Sequence, residues 1–269
     1  MKREQIMTKH KIKKYTCLLI IFSGINIASG NNQESNVNIL NFKAADNLEI
    51  TADWYSIPDS TAPIIILYHQ AGWSRGEYIE IAPKLNAMGF QCLAVDQRSG
   101  GEVNGIINQT NSQALLLGRS TNYLDAQADM TATLDFIHNL YPENKIILWG
   151  SSYSSSLALK VAGDNHKFVG GVLAFSPGEY FEKFGKSSDF IHSFAKNIIC
   201  PVFITSASNE HGKWKNIYDN IPGMQKTYFL PQTAGNHGSR ALWEKFPDNE
   251  QYWHAVNMFL SQYLGNDSE

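Results

Sequence analysis

Cysteine is scarce in this chain, which contains three cysteines among 269 residues. Cys17 lies near the N-terminus, so only Cys92 and Cys200 belong to the body of the protein. A disulfide framework would need a denser set of cysteines. The histidines, cysteines and acidic residues also lack the paired spacing that is typical of a zinc site. The sequence therefore predicts no metal centre and no cofactor.

An excess of positive charge is also missing. The chain has 22 basic and 25 acidic residues, and six of the basic residues lie in the first 30 with only one acidic residue. From residue 31 onward the chain therefore carries 16 basic and 24 acidic residues, a net charge of −8 with neutral histidine. Because the phosphate backbone of nucleic acids requires a basic surface, this balance argues against a nucleic-acid partner.

No apolar run reaches the length of about 20 residues that a membrane-spanning helix needs. The run Tyr15–Phe22 instead follows a cluster of basic residues and precedes the small residues Ala28-Ser-Gly30. This order is typical of a cleavable export signal. We therefore predict a signal peptide over residues 1–30, a single domain over residues 31–269 with no membrane span, and a periplasmic or secreted protein. The basic residues of the cluster are Lys2, Arg3, Lys9, Lys11, Lys13 and Lys14.

Apolar runs alternate with helical patterns along the rest of the chain. Two early runs, 37–42 and 48–54, alternate in polarity like a half-exposed hairpin. The later runs are almost continuously apolar, as expected of strands buried on both faces of a parallel sheet. We therefore predict an α/β fold with a mostly parallel central sheet of about eight strands and helices on both faces. The later runs are 62–68, 91–96, 145–149, 169–175, 201–205 and 227–230, and the helical patterns lie near 77–88, 122–140, 153–163, 187–197, 212–219 and 249–264.

The segment Lys145–Ser154 has the order strand, sharp turn, helix. Its apolar run leads into Gly150-x-Ser152-x-Ser154, and helix-compatible residues follow. This context is typical of a nucleophile elbow, in which a glycine allows the tight turn and the central serine is exposed. We predict that Ser152 is the nucleophile. Four neighbouring serines remain alternatives, with helix capping as their ordinary role: Ser151, Ser154, Ser155 and Ser156.

An activated serine needs a base within hydrogen-bond reach and a carboxylate that orients the base. In α/β enzymes with such an elbow, the chain order is serine, acid, histidine, each in a loop at the carboxyl end of a strand. Glu210 follows the run 201–205, and His237 follows the run 227–230. We predict that they are the acid and the base. Glu179, which follows an earlier strand, remains the alternative acid.

Four motifs together resemble those of one superfamily. Besides the elbow, the segment Pro201–Glu210 is similar to a strand that ends in the acid, Gly235-Asn-His237-Gly238 to a histidine loop, and Asp96-Gln-Arg98-Ser-Gly100 to an Asp-x-Arg-Gly turn. In these motifs the chain resembles the α/β-hydrolases, in particular dienelactone-hydrolase-like proteins and small serine esterases. The resemblance covers nearly all of residues 36–269 and implies the α/β-hydrolase fold. Dienelactone hydrolases proper use a cysteine nucleophile, so their substrate is not carried over.

The resemblance also places the oxyanion hole. One donor is expected to be the backbone N–H of Tyr153, directly after the nucleophile, and the other an N–H from the loop after the third strand. That loop has His69-Gln70 where the superfamily commonly has His-Gly. We expect Gln70 or Ala71 to provide the second donor and His69 to hold the loop by hydrogen bonding.

Four further expectations follow from the implied fold. Only the segment Ser176–Asn197 links two strands at the place where many relatives insert a cap, so we predict no cap domain. Trp73, Tyr180 and the stretch 99–121 are then expected to line an open substrate pocket. Asp96 is expected to order the turn that contains Arg98. Several strands are expected to separate Cys92 from Cys200, which predicts two free, buried thiols.

These predictions describe an exported serine hydrolase that cleaves short-chain carboxylic esters through an acyl-enzyme. Its partner would be a small-molecule ester. A serine peptidase that acts on small peptides uses the same catalytic groups and remains an alternative. A non-catalytic binding protein with the same fold is the second alternative, because fold alone does not establish chemistry.

Overall fold

An eight-stranded sheet forms the centre of the protein. The computed structural model describes residues 37–264, so the predicted signal peptide lies outside the described residues. The strands of the sheet are β1 (Val37–Lys43), β2 (Glu49–Tyr55), β3 (Ile64–Tyr68), β4 (Gln91–Val95), β7 (Ile146–Ser151), β8 (Gly171–Phe175), β9 (Val202–Thr205) and β10 (Lys226–Phe229), and a separate pair consists of β5 (Glu102–Val103) and β6 (Ile106–Ile107). The order in the sheet is β1-β2-β4-β3-β7-β8-β9-β10.

Seven α-helices lie between or after these strands in the part of the chain that is described. They are α1 (Ile81–Ala87), α2 (Gln109–Leu116), α3 (Ala126–Leu140), α4 (Tyr153–Asp164), α5 (Phe190–Ala195), α6 (His211–Asn220) and α7 (Asn249–Tyr263). Short 3₁₀ turns occupy Arg75–Tyr78, Glu182–Phe184, Ser208–Glu210 and Ser239–Leu242. None of the helices within residues 37–264 has the length and apolarity needed to cross a membrane.

The sheet is parallel except at one end. β2 pairs antiparallel with β1 and with β4, whereas every pairing from β4 to β10 is parallel. Five of the parallel strands, β3, β4, β7, β8 and β9, are buried on both faces, as their continuous apolar runs require, whereas β10 at the edge is only partly buried. In β3, for example, Ile66 packs with Leu148 and Leu157 on one face, while Ile65 packs with Trp149 on the other. The predicted fold class is confirmed.

The connection from β8 to β9 contains only a 3₁₀ turn and α5. It holds no inserted domain, as the sequence predicts. The stretch 99–121 does differ from the expected loop, because it forms β5, β6 and α2. This segment packs on the 3₁₀ turn Arg75–Tyr78: the Ser74 hydroxyl donates to the carbonyl of Ile106 at 2.6 Å.

The expectation that Asp96 orders the turn containing Arg98 is wrong. Arg98 donates to Asp129 at 2.7 Å and to Asp46 at 2.9 Å, so it ties the turn after β4 to α3 and to the β1–β2 hairpin. Asp96 instead pairs with Arg75 at 2.6 Å, and Arg75 also bonds Asp53 at 2.8 Å. Asp96 still has a structural role, but in the turn after β3 rather than in the Arg98 turn.

Cys92 in β4 and Cys200 just before β9 are both free, with Cys92 buried and Cys200 only half-buried. Three strands lie between β4 and β9, and four spacings of about 4.8 Å far exceed the limit of about 7 Å between the Cα atoms of a disulfide. We therefore expect non-reducing peptide mass spectrometry of the purified protein to find both residues as thiols. A Cys92–Cys200 disulfide would contradict the strand order.

Candidate active site

Ser152 lies at the turn between β7 and α4, at the carboxyl end of the sheet. Its backbone has φ 59° and ψ −124°, a conformation that is strained for a residue with a side chain. Gly150 is required on the strand side, because a Cβ there would lie 2.4 Å from the Cα of Ser155. Ser152 remains 9% exposed. The chain therefore forms the sharp turn that presents the Ser152 hydroxyl at the end of the sheet.

The other serines of this turn bond within the protein. Ser154, at the position where the motif usually has glycine, accepts the N–H of Ser151 at 2.9 Å. The hydroxyls of Ser154, Ser155 and Ser156 are fully buried and donate to the backbone carbonyls of Tyr68, Ser152 and Gly178 at 2.7, 2.5 and 2.7 Å. Of the five serines at this turn, only Ser152 contacts a histidine.

Ser152, His237 and Glu210 lie in one hydrogen-bonded line. His237 Nε2 is 2.8 Å from Ser152 Oγ, and His237 Nδ1 is 2.7 Å from Glu210 Oε1. The three residues come from the elbow, the loop after β10 and the 3₁₀ turn after β9. With the Nδ1 proton directed at the carboxylate, Nε2 is free to accept a proton from the hydroxyl.

Glu179, the alternative acid, lies elsewhere. Its two carboxylate oxygens accept the backbone N–H groups of Ile191 and His192 at 2.8 and 2.9 Å, so it caps the start of α5. The structure brings Glu210 to His237 and does not bring Glu179 there.

The surroundings of Glu210 favour its ionised form. Burial alone would raise the pKa of this carboxyl. Hydrogen bonds from His237 and from the Ser176 hydroxyl outweigh burial and lower the pKa of Glu210 to about 2. Lys213 adds a weaker contact at 3.3 Å. Glu210 therefore carries a negative charge at neutral pH.

Ser176 is a member of this site that the sequence analysis missed. It directly follows β8 and has φ 56°, which is again unusual for a residue with a side chain. Its hydroxyl donates to Glu210 Oε2 at 2.7 Å and accepts the N–H of Gly238 at 2.9 Å. Ser176 thus links the acid to the histidine loop. Its place at the end of a parallel strand is the only sequence signal that could have indicated it.

The two candidates for the second oxyanion donor differ in their contacts. The N–H of Gln70 already donates to Glu77 Oε2 at 2.8 Å, so Gln70 is not free to act as a donor. The N–H of Ala71 has no hydrogen-bond acceptor within residues 37–264. Tyr153 is the first residue of α4, so its N–H has no partner within the helix. In the described part of the chain, the N–H groups of Tyr153 and Ala71 are thus both left without an acceptor.

His69 holds the loop after β3. Its Nδ1 lies 2.8 Å from the carbonyl of Gln70, and its Nε2 accepts the N–H of Gln97 at 2.9 Å. Complete burial lowers the pKa of His69 to about 4, so the ring is neutral near pH 7. These bonds connect the loop that contains Ala71 to the turn after β4.

The two residues predicted to line the pocket, Tyr180 and Trp73, differ in their position relative to Ser152, His237 and Glu210. Tyr180 lies close to the three aligned residues: its hydroxyl donates at 2.7 Å to the carbonyl of Ser176, whose side chain bonds Glu210. Burial and the charge of Glu210 raise the pKa of Tyr180. Trp73 stacks on Trp243 with ring centroids 5.2 Å apart, and its carbonyl accepts the N–H of Gly101 at 2.9 Å. Within residues 37–264, Trp73 forms no hydrogen bond with the three aligned residues, so its role in the pocket stays a prediction.

The fold and the elbow define an α/β-hydrolase. Residues 59–221 match the family model described as serine aminopeptidase, S33. This match spans more than half of the chain, which therefore belongs to this family of α/β-hydrolases. No curated protein sequence matches the chain. Within residues 37–264, no group of three or more His, Cys, Asp or Glu residues could hold a metal ion.

Solved structures show the same fold at low sequence identity. An esterase from Pyrococcus furiosus is 19% identical with a TM-score of 0.66, over 88% of this chain and 98% of that one. A dienelactone hydrolase from Anabaena variabilis is 13% identical with a TM-score of 0.66, over 85% of this chain and 98% of that one. An acylaminoacyl peptidase from Pyrococcus horikoshii is 15% identical with a TM-score of 0.63, over 87% of this chain but only 42% of its own.

Proposed function

We propose that the protein is an exported serine hydrolase that cleaves short-chain carboxylic esters through an acyl-enzyme. Ser152 is the nucleophile, His237 the general base and Glu210 the acid that orients the histidine. The observation that carries the proposal is the line from Ser152 Oγ to His237 Nε2 at 2.8 Å and from His237 Nδ1 to Glu210 Oε1 at 2.7 Å. Such an arrangement is the basis of nucleophilic acyl transfer.

In the acylation half-reaction, Ser152 Oγ bonds to the ester carbonyl carbon while His237 Nε2 takes the hydroxyl proton. The N–H groups of Tyr153 and Ala71 stabilise the oxyanion, and one such donor typically contributes about 3 kcal/mol. His237 then gives the proton to the departing alcohol as the C–O bond breaks. Water repeats the sequence on the acyl-enzyme and releases the acid, which returns Ser152 to its free form.

The preference for short acyl groups is supported by the short connection between β8 and β9. A cap inserted at this point would enclose a long acyl chain of the substrate. Here the polypeptide passes from β8 to β9 through only a 3₁₀ turn and α5. Tyr180, half-buried and bonded to the carbonyl of Ser176, then lies at the edge of an open site. An open, partly apolar site suits small soluble esters rather than long lipid chains.

We expect p-nitrophenyl acetate to butyrate to give the highest kcat/KM and acyl chains beyond octanoyl to be at least about tenfold slower, because added methylenes find no enclosing pocket. The test is a chain-length series of kcat/KM below and above the solubility limit of each ester. A maximum at palmitoyl, or a jump in rate above the solubility limit, would show that the stretch 99–121 acts as a lid.

A peptidase is the second candidate, and the description of the matching family as serine aminopeptidase favours it. An ester and an amide of the same amino acid separate the two, for instance alanine p-nitrophenyl ester and alanine p-nitroanilide. Ester cleavage with little amide cleavage supports an esterase. Comparable kcat/KM on the amide would make the protein a peptidase with the same catalytic residues.

Export is part of the same proposal and rests on the order of basic, apolar and small residues in the first 30 positions. N-terminal sequencing of the protein recovered outside the cytoplasm is expected to begin near Asn31. Recovery only from the cytoplasm with residues 1–30 attached would contradict export but leave the catalytic proposal standing.

A further inference from the structure

Glu77 is a fully buried carboxyl group beside the proposed catalytic residues. It lies in the 3₁₀ turn Arg75–Tyr78, and none of its surface is exposed. Its Oε2 accepts the N–H of Gln70 at 2.8 Å, and its Oε1 accepts the hydroxyl of Ser151 at 2.6 Å. No ion pair with a basic residue is formed within residues 37–264. Burying a carboxyl group costs free energy unless hydrogen bonds compensate for the lost water. We therefore ask what the two hydrogen bonds of Glu77 do for the site.

The hydroxyl of Ser151 extends this contact to the histidine loop. It accepts the N–H of Ser239, two residues after His237, at 2.9 Å. The approach is close, since a Cβ on Gly238 would lie 2.6 Å from Ser151 Oγ. Through Ser151, Glu77 therefore contacts both the elbow and the segment that carries the base.

The hydrogen bond from the Gln70 N–H to Glu77 fixes the loop after β3. Because the Gln70 N–H is directed at Glu77, the next peptide is turned so that the N–H of Ala71 is left without a partner in the described part of the chain. An oxyanion donor is effective only when it is held at the place where charge develops, within tenths of an ångström. Glu77 thus bonds directly to two of the three segments whose relative position decides this geometry, the loop after β3 and the elbow, and reaches the histidine loop through Ser151.

We propose that Glu77 is a positioning residue that sets the oxyanion donor of Ala71 relative to Ser152 and His237. The proposal rests on the hydrolase function proposed above and adds to it a buried carboxylate that acts through Gln70 and Ser151. This role requires that both carboxyl oxygens of Glu77 accept a hydrogen bond. An ionised carboxylate offers two acceptors, whereas glutamine offers one acceptor and one donor.

Burial and hydrogen bonding act in opposite directions on the pKa of Glu77. Burial raises the pKa of Glu77 to about 7, while hydrogen bonds from Ser151 and Gln70 and the charge of Arg240 oppose the rise. The other titratable groups that respond to Glu77 are the phenols of Tyr78 and Tyr153, whose pKa values burial and the charge of Glu77 raise. Protonation of Glu77 removes one of its two acceptors, so the positioned state is lost as the pH falls through this pKa.

The test is Glu77→Gln, which keeps the size of the side chain and removes one acceptor. With p-nitrophenyl butyrate we expect kcat to fall about 10- to 100-fold while KM stays within about twofold, because an oxyanion donor acts mainly in the transition state. The matched control is Glu80→Gln, three residues away, whose carboxylate accepts only the exposed N–H of Glu244 at 3.0 Å. The control should keep wild-type kcat.

The pH dependence of kcat/KM distinguishes a positioning role of Glu77 from a purely structural one. In the wild type, Glu77 must lose a proton, which adds one ionisation to the acidic limb of log kcat/KM. In Glu77→Gln the slope of that limb should be lower than in the wild type by about one. Wild-type kcat in Glu77→Gln, or a loss confined to KM, would overturn the proposal.

Ser151→Ala provides a second route if Glu77→Gln does not fold by circular dichroism. It keeps the Glu77–Gln70 bond and breaks the contacts of Glu77 with the elbow and of Ser151 with Ser239. We expect kcat to fall about tenfold at unchanged KM, and an unchanged kcat would overturn the proposal. If the wild type itself neither hydrolyses esters nor reacts with a fluorophosphonate, the proposed function fails instead.

Discussion

Ser152→Ala is expected to abolish ester turnover, with a fall in kcat on the order of 10⁴- to 10⁶-fold, the range found when a serine nucleophile is removed. The reason is that no other hydroxyl of the elbow contacts a histidine. His237→Ala should cost about as much, because the nucleophile and its base act as a unit. The measurement is kcat for p-nitrophenyl butyrate with each purified variant.

The control for this prediction is Ser155→Ala. Its hydroxyl lies on the same turn but donates to the carbonyl of Ser152 at 2.5 Å, so we expect most of the activity to remain. Full activity in Ser152→Ala, or its loss in Ser155→Ala alone, would place the nucleophile elsewhere.

The second prediction compares two carboxylates. Glu210→Ala should lower kcat about 10³- to 10⁴-fold, because His237 loses the group that orients it and stabilises its charge. Glu179→Ala should lower kcat less than about tenfold, because Glu179 bonds only the start of α5 and its loss costs no more than a helix cap.

Both variants are measured with the same ester, and thermal melting shows whether either loss reflects unfolding. Glu210→Gln, with nearly the same shape as the wild-type side chain, should also be impaired, since an amide cannot supply the charge. A severe loss in Glu179→Ala together with a mild one in Glu210→Ala would move the acid to the loop after β8.

Much of the fold could be predicted because its signals are local. Strands buried on both faces produce continuous apolar runs, and these located β3 and the later strands of the sheet to within one or two residues. The elbow was recognisable because Gly150 and Ser152 lie in one short segment with a fixed order of strand and helix. The chain order of acid and base then pointed to Glu210 and His237.

What the sequence missed lies in contacts between distant segments. Glu77 and Ser151 are 74 positions apart, and Ser176 and Glu210 are 34 positions apart, so no spacing rule connects them. The choice between Gln70 and Ala71 depended on Glu77 in the same way. α2 was missed for a local reason: its first residues, Gln109-Thr-Asn-Ser-Gln113, are polar, and Leu115 and Leu116 are exposed rather than aligned with a core.

The expectation that Asp96 orders the Arg98 turn was wrong because a short motif indicates a turn but not which side chains bond to it. Asp129 of α3 and Asp46 of the β1–β2 hairpin reach the guanidinium at 2.7 and 2.9 Å. Asp96, only two residues away in sequence, is directed toward Arg75 instead. Which of several acidic residues reaches a buried arginine is decided by tertiary packing, and a single sequence does not contain that information.

The most direct test of the central claim is to label the purified protein with a fluorophosphonate and to map the adduct by tandem mass spectrometry. Such a probe bonds covalently only to a serine whose hydroxyl is activated by a base. We predict one phosphonate per chain, on Ser152, and no labelling of Ser152→Ala or of His237→Ala. An adduct on another serine, or an unlabelled wild-type protein, would contradict the assignment of Ser152 as an activated nucleophile.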